Sequence, residues 1–280
     1  MAQRRCFFFL VILVAFARPV GAQPFAPGCS LPFEGIKGTD PDGGLLPIDE
    51  KCGIEGDTKA AAVHQLQNKA KNNFCAPGVP VTVTMATFKK LQKAADDAEL
   101  PHGGNNLPDD RNILADLVTA TSHGKSSKVG EGTKVRFATF LLEAHYSNVS
   151  KGESVNCKKK GQQFNDIHVV LAENKDAEPC ETVSAEVSPH FRPPAWLPDN
   201  LNRVVRPVRI TGQMFFDASH DPCRDGKRAS PARISVWEIH PIYSIDVCEK
   251  NSLASCDAEN DSVWVPMHEW FALEEDHGDE

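Results

Sequence analysis

The chain has no long apolar run away from its N-terminus, so no internal segment reaches the roughly 20 apolar residues that a spanning helix needs. It lacks the compositional extremes of disordered or collagen-like chains. At 280 residues it is 41% hydrophobic and 24% charged, with 20 Pro and 19 Gly, enough for one large domain or two small ones. It has no excess of basic charge. Its 30 Lys and Arg face 38 Asp and Glu, a net charge of −8, and a polyanion is repelled at long range by such a chain. Non-specific nucleic-acid binding is therefore disfavoured. The familiar catalytic spacings HExxH, GxSxG, GxxxxGK[ST] and GxGxxG are all missing. No two cysteines are spaced CxxC, which argues against zinc ribbons and thioredoxin-like redox chemistry. The ten histidines are too dispersed to define a triad, and no internal repeat is visible.

What is present begins with a targeting segment. Arg4 and Arg5 precede an apolar run from Cys6 to Ala17, closed by Arg18 and Pro19. The run is too short to span a bilayer, and Val20-Gly21-Ala22 supplies small residues for cleavage. Residues 1–22 thus read as a signal peptide cut after Ala22, and the mature chain as secreted or periplasmic with no membrane span. Arg4-Arg5-Cys6-Phe7-Phe8 also resembles a twin-arginine export motif, so the route stays open, although the cysteines favour export of an unfolded chain. Cleavage removes Cys6 and three arginines, which moves the net charge from −8 to −11.

Eight cysteines remain: Cys29, Cys52, Cys75, Cys157, Cys180, Cys223, Cys248 and Cys256. In an exported chain they imply a disulfide framework. On the order of a hundred pairings are combinatorially open, so connectivity does not follow from the sequence. A Cys29–Cys52 staple is expected within the Gly/Pro-rich arm, residues 23–56.

Residues 57–124 read as a small N-terminal helical lobe. Val63, Leu66, Ala70 and Phe74 recur at helical spacing, with Asp57 as N-cap. A second helix is expected over Thr84–Leu100, with Met85, Phe88, Leu91 and Ala95 on one face. Asp110 caps a short third helix through Leu117. Within residues 125–256, which are slightly basic up to position 233, the period changes to two. Lys134–Leu142 is a strand apolar on both faces. Asp166–Glu173 and Thr182–Ser188 alternate as a hairpin. Pro193–Val204 holds a short helix. Val208–Ala218 is a strand bent or bulged at Gly212, and Ile234–Cys248 a last long strand bent near Pro241. Three strands, a helical connection and two strands give the order of a five-stranded OB-like Greek-key β-barrel, and the chain is α+β. Residues 257–280 form an acidic C-terminal tail, in which Trp264, Trp270 and Phe271 serve packing. Asn148-Val149-Ser150 and Asn260-Asp261-Ser262 fit the glycosylation pattern, relevant only in a glycosylating host.

Val208-Arg209-Ile210-Thr211-Gly212-Gln213-Met214-Phe215-Phe216-Asp217, followed by His220 and Trp237-Glu238-Ile239-His240-Pro241, resembles the closing half of a group of functionally uncharacterised exported bacterial proteins with an OB-like barrel. Asn165-Asp166-Ile167-His168 and the Glu186 strand resemble earlier strands of the same group. The resemblance covers residues 134–249 and implies fold and export, with no activity attached.

One constellation carries chemistry. Asp166 and His168 share a strand face, Glu186 lies on the polar side of the hairpin partner, and Glu238 and His240 share a face of the last strand. In the OB strand order these form neighbouring rows on the outer face of strands two, three and five, with His220 joining from the rim. Two readings follow. One is a binding module whose ligand, an unknown protein or small molecule, docks on that outer face. The other is a metal-dependent hydrolase, a phosphodiesterase or nuclease, in which these imidazoles and carboxylates hold a divalent ion that activates water. Acid and histidine side chains opposite an apolar row also occur on any half-exposed strand.

The signal-peptide reading predicts that N-terminal sequencing of the exported protein starts at Gln23. A membrane-held product that retains residues 1–22 would show an anchor instead.

Overall fold

The sequence pattern builds a barrel through strands that fill its interior with every second side chain. The structure, a computed structural model, describes Ile48, residues 52–57 and residues 59–277. The signal segment 1–22, Cys29 and most of the 23–56 arm lie outside the described residues.

Helix α1 spans Ala62–Lys71. It starts later than the Asp57 cap suggests, because the Asp57 carboxylate instead accepts the Lys59 N–H at 3.0 Å and pairs with Lys158 at 3.1 Å. Strand β1 (Val81–Val83) leads into α2 (Met85–Asp97). The Thr84 N–H donates to the Thr87 hydroxyl at 3.2 Å and fixes the start of α2. The expected third helix is one 3-10 turn, Arg111–Leu114, in which Asp110 accepts the Asn112 N–H at 2.8 Å.

The next segment corrects the sequence reading. The end of the segment assigned to the helical lobe forms β2 (Val118–Ser122), which makes a hairpin with β3 (Lys125–Val129) at the start of the expected barrel region. Its two turn residues, His123 and Gly124, both have positive φ, at 49° and 68°. Such turns match the twist of paired strands, but a Thr/Ser/Lys-rich hairpin carries little hydrophobic signal.

Five strands close the barrel: β4 (Lys134–Tyr146), β5 (Ile167–Ala172), β6 (Val183–Val187), β7 (Val208–Phe216) and β8 (Trp237–Cys248). Helix α3 (Pro198–Leu201) connects β6 to β7. The order is β4-β5-β6-β8-β7, and β7 pairs back onto β4. The β6–β8 pairing is parallel and the other four are antiparallel. Strand β4 can serve two neighbours because its register shifts between Leu141 and Glu143: residues 134–139 pair with β7 and the rest with β5. Such a bulge bends a strand and helps a sheet to close. Gly212 sits at a second irregularity, where a Cβ would meet the Ile239 side chain and the Pro241 carbonyl at 2.5 Å. The close pass of β7 over β8 therefore requires glycine there.

Ile167, Val169, Leu171, Val183, Ala185, Ile210, Met214 and Ile239 are buried inside the barrel. The helices do not form a core of their own. Phe88, Leu91 and Ala95 of α2 belong to the same apolar cluster as the barrel interior, with the Phe88 and Phe137 rings 5.4 Å apart. The last segment is more ordered than a free tail. Strand β9 (Trp264–Pro266) pairs with β8, and α4 (Met267–His277) follows. Trp264 is buried, and Trp270 and Phe271 pack against the main core.

Disulfides join Cys52 to Cys157, Cys180 to Cys223 and Cys248 to Cys256, and Cys75 is also disulfide-bonded. The expected Cys29–Cys52 staple is thus corrected: Cys52 reaches across the fold to Cys157. With these disulfides, and with no helix among the described residues long and apolar enough to cross a membrane, the chain is compatible with an exported protein.

One shared core predicts a single cooperative unfolding transition. Phe88→Ala should destabilise it by about 3–5 kcal/mol, because a buried ring leaves a cavity. Denaturant titration followed by tryptophan fluorescence and far-UV circular dichroism checks this. Non-coincident curves would mean that α2 unfolds separately.

Candidate functional site

Alternation sends the neighbours of the interior residues outward. Cross-strand register pairs His168 with Glu186 on β5 and β6. The parallel β6–β8 pairing aligns Ala185 with Ile239, both inward, which sets Glu186 beside His240. Glu238 lies opposite Phe215 of β7. The rows expected on the outer face of strands two, three and five are therefore neighbours. They are not an open surface, however. Asp166, Glu186, Glu238 and His240 are buried, and only His168 retains partial exposure, 19% of its side chain.

Their cover is α1 and the loop between β4 and β5. Helix α1 buries polar residues, Gln67 and Asn68, together with Ala70, and Asn72 and Asn73 are buried just beyond it. Gln67 donates to the Ser219 hydroxyl at 2.6 Å, and Asn68 to the Glu55 carbonyl at 2.9 Å and the Ser154 hydroxyl at 3.1 Å. Lys71 ends the helix with its ammonium 3.3 Å from Glu186 Oε2. From the loop, Glu153 Oε1 approaches His168 Nε2 at 4.0 Å, and Asn156 donates to Asp166 Oδ1 at 3.2 Å.

Glu186 is the shared member. Its Oε1 lies 3.1 Å from His168 Nε2 and its Oε2 lies 2.9 Å from His240 Nε2. Asp166 Oδ2 lies 3.5 Å from the same His240 nitrogen. Asp166, Glu186 and His240 each offer a ligand atom, and all three atoms fall within 4.8 Å of one another. A divalent metal fits this set of one imidazole and two carboxylates.

The other expected residues join a separate cluster. Glu238 Oε2 takes an Arg233 N–H at 2.8 Å. Arg233 also donates to Asp217 Oδ2 at 2.7 Å, and His220 Nδ1 lies 2.6 Å from that same oxygen. Glu238 Oε2 and His220 Nδ1 are thus engaged by Arg233 and Asp217, and neither residue belongs to the three that could hold a metal ion. A third buried pair lies beyond: Arg111 donates to both oxygens of Glu131 at 2.8 and 2.5 Å.

Electrostatics follow from this packing. Burial alone would lower both histidines, but Glu186 carries His168 up to about 9, and Glu186 with Asp166 carries His240 up to about 10. Burial raises Glu186, yet Lys71, His168 and His240 hold it well below the ordinary carboxylate range. Burial and neighbouring carboxylates push Glu153 and Glu238 up to about 7.

Next to this layer is an open groove of about 930 Å³, lined among others by His145, Tyr146, His168, Thr182, His220 and Arg228. His168 joins the two regions: it lines the groove, and its Nε2 faces Glu186 Oε1 at 3.1 Å. Sequence reasoning missed Lys71, Glu153, Asn156, Asp217 and Arg233. The first lies on a helix and the others in loops or at a strand end, where no alternation marks them.

These shifts fix a pH profile for protein kept in chelator. His168 and His240 sit above the ordinary imidazole value of 6.5, so their stabilisation is full below that pH and is lost as pH rises through about 9 and about 10. Glu153 and Glu238, raised to about 7, are stabilising when protonated, and that contribution is lost as pH rises through about 7. Glu186 and Asp166 are depressed and act oppositely, losing their contribution as pH falls below the carboxylate range. Stability should therefore peak on the mildly acidic side. Glu186→Gln should flatten the loss above pH about 7, since it removes the main cause of both raised histidines. Unfolding midpoints across pH 4 to 10 check it; an equally steep alkaline loss in the variant would refute the assignment.

No protein-family model matches the chain, and neither a curated protein nor a solved structure matches it.

Proposed function

We propose that the chain is an exported OB-like binding module whose groove over β4 and β5 takes a small anionic ligand, one carrying phosphate or carboxylate groups. The observation that carries this reading is His168. It sits in the groove lining with its Nε2 3.1 Å from Glu186 Oε1, its ring 5.6 Å from that of His145, and Glu186 raising it to about 9 against the cost of burial. Lys175, His220 and Arg228 also line the groove, Lys175 with its ammonium donating to the Val205 carbonyl at 2.7 Å and His220 with its Nδ1 on Asp217. The groove's acid, Glu143, is paired with His145 at 3.1 Å. A pre-formed cleft with a few convergent polar groups is the common form of a small-ligand site. The groove lies over strands one and two of the barrel and shares strand two, β5, with the face of strands two and three where such barrels commonly bind. Export through the 1–22 signal belongs to the same reading and is supported by the disulfides.

The hydrolase reading asks for a metal with an open position that substrate can reach. Asp166 and His240 side chains are 0% exposed and Glu186 is 4% exposed. That burial favours binding over hydrolysis.

Titration calorimetry with inorganic phosphate and with citrate, at low salt, tests the proposal. Binding to the wild type should weaken by about 10-fold or more in His168→Ala and in Arg228→Ala, as expected for loss of a charged hydrogen bond. It should also weaken as salt is raised, since the attraction is screened. No binding of either probe, or equal affinity in both variants, would overturn it.

A further inference from the structure

The buried cluster behind the groove has more polar atoms than hydrogen-bond partners. Asp166 Oδ2 and both ring nitrogens of His240 make no hydrogen bond, although none of these atoms meets solvent. His240 Nε2 lies 2.9 Å from Glu186 Oε2 and 3.5 Å from Asp166 Oδ2, so the contacts are close without being aligned as hydrogen bonds. Buried polar groups are almost always satisfied, and an exception in a native fold calls for a cause such as an ion.

The surroundings favour a cation in that place. Asn156 occupies Asp166 Oδ1 and His168 occupies Glu186 Oε1. The outer oxygens are thereby held, and Asp166 Oδ2 and Glu186 Oε2 remain turned toward His240 Nε2. Orientation of ligating carboxylates by outer partners is how proteins build metal sites. One imidazole nitrogen with two carboxylate oxygens suits zinc or manganese, whereas soft-metal sites use thiolates and calcium sites use oxygen alone. Among the described residues, the cations nearest these oxygens are the Lys71 ammonium, 3.3 Å from Glu186 Oε2, and His168, 3.1 Å from Glu186 Oε1.

We propose that Asp166 Oδ2, Glu186 Oε2 and His240 Nε2 bind one divalent cation of the zinc or manganese class, as a structural site that ties β5, β6 and β8 together beneath α1. Binding takes the neutral imidazole, so the ion replaces the His240 proton, which leaves to solvent. The site lies behind the groove and adjoins it only through His168, which contacts Glu186 Oε1; Arg228 lines the groove and is not one of the three ligands.

The test uses the full mature chain with its disulfides intact. Protein stripped with chelator is dialysed against zinc or manganese, washed, and analysed for metal and for its unfolding midpoint. The expected result is about one ion per chain and a raised midpoint. Asp166→Asn and His240→Gln should lose the ion to below a tenth of that level, and Arg228→Ala should keep it. A wild type that retains no ion would overturn the proposal, as would equal loading in Asp166→Asn, which marks an adventitious surface site. Should either ligand variant fail to fold, cobalt substitution of the wild type decides. Visible absorption of a low-coordinate nitrogen and oxygen site, displaced by zinc, supports the assignment; its absence overturns it. Because Arg228→Ala separates the two regions, failure here leaves the anion-binding reading untouched.

Discussion

The outer half of this fold is organised by one buried carboxylate. Glu186 has its oxygens in contact with His168, His240 and Lys71, and these four groups come from β6, β5, β8 and α1. Removing a carboxylate from water costs several kcal/mol even after relaxation, and only close opposite charge offsets this. Each of the three elements around β6 must therefore deliver its cation to within about 3 Å. That requirement explains why α1 docks by a polar face. A helix that buried only its apolar stripe would leave Glu186 facing hydrocarbon.

The same logic repeats along the barrel wall. Arg233 lies between Asp217 and Glu238, and Arg111 between Glu131 and the Phe216 carbonyl. Both guanidiniums are buried. Gln213 completes the layer, accepting from Asn73 at 2.5 Å and donating to the Ala70 and His240 carbonyls at 2.7 and 2.9 Å. Such a layer adds little net stability, because an apolar replacement of equal shape is often as stable. Its effect here is on register. A helix that slid by one residue along an apolar surface would lose little, but α1 shifted by one residue would lose the Gln67, Asn68 and Lys71 partners together.

This distinction also sets what could be read from the sequence. The five barrel strands and the connecting helix were legible because Ile167, Val169 and Leu171, or Val183, Ala185 and Val187, alternate strictly. Alternation also put Asp166, His168, Glu186, Glu238 and His240 on one side. Burial of that side was not legible. The residues that cover it are Asn, Gln, Lys and Glu, whose pattern on α1 and in the 147–166 loop looks solvated. Asp57 misled for a related reason: an acid before a helical run also suits a turn, and here it caps Lys59 and meets Lys158. The β2–β3 hairpin was hidden by its polarity, and the Cys52–Cys157 pairing by the number of alternatives.

The pairing found for Cys52 follows from what the buried layer demands. Glu153 and Asn156 reach the site from a long loop, and loops are the segments that open first. A cation network around Glu186 holds only while those two side chains stay in place. The Cys52–Cys157 bond anchors this loop, one residue after Asn156, to the segment that leads into α1. Gly56 completes the join: its φ of 63° and its close approach to the Ser154 and Val155 carbonyls leave no room for a side chain. The loop and the helix entry are thus held as one lid over Asp166 and His240. A staple within the N-terminal arm alone would have left the loop free. Cross-linking residues this far apart removes more freedom from the unfolded chain than a short loop does, so the bond acts where the charged layer is most exposed to local opening.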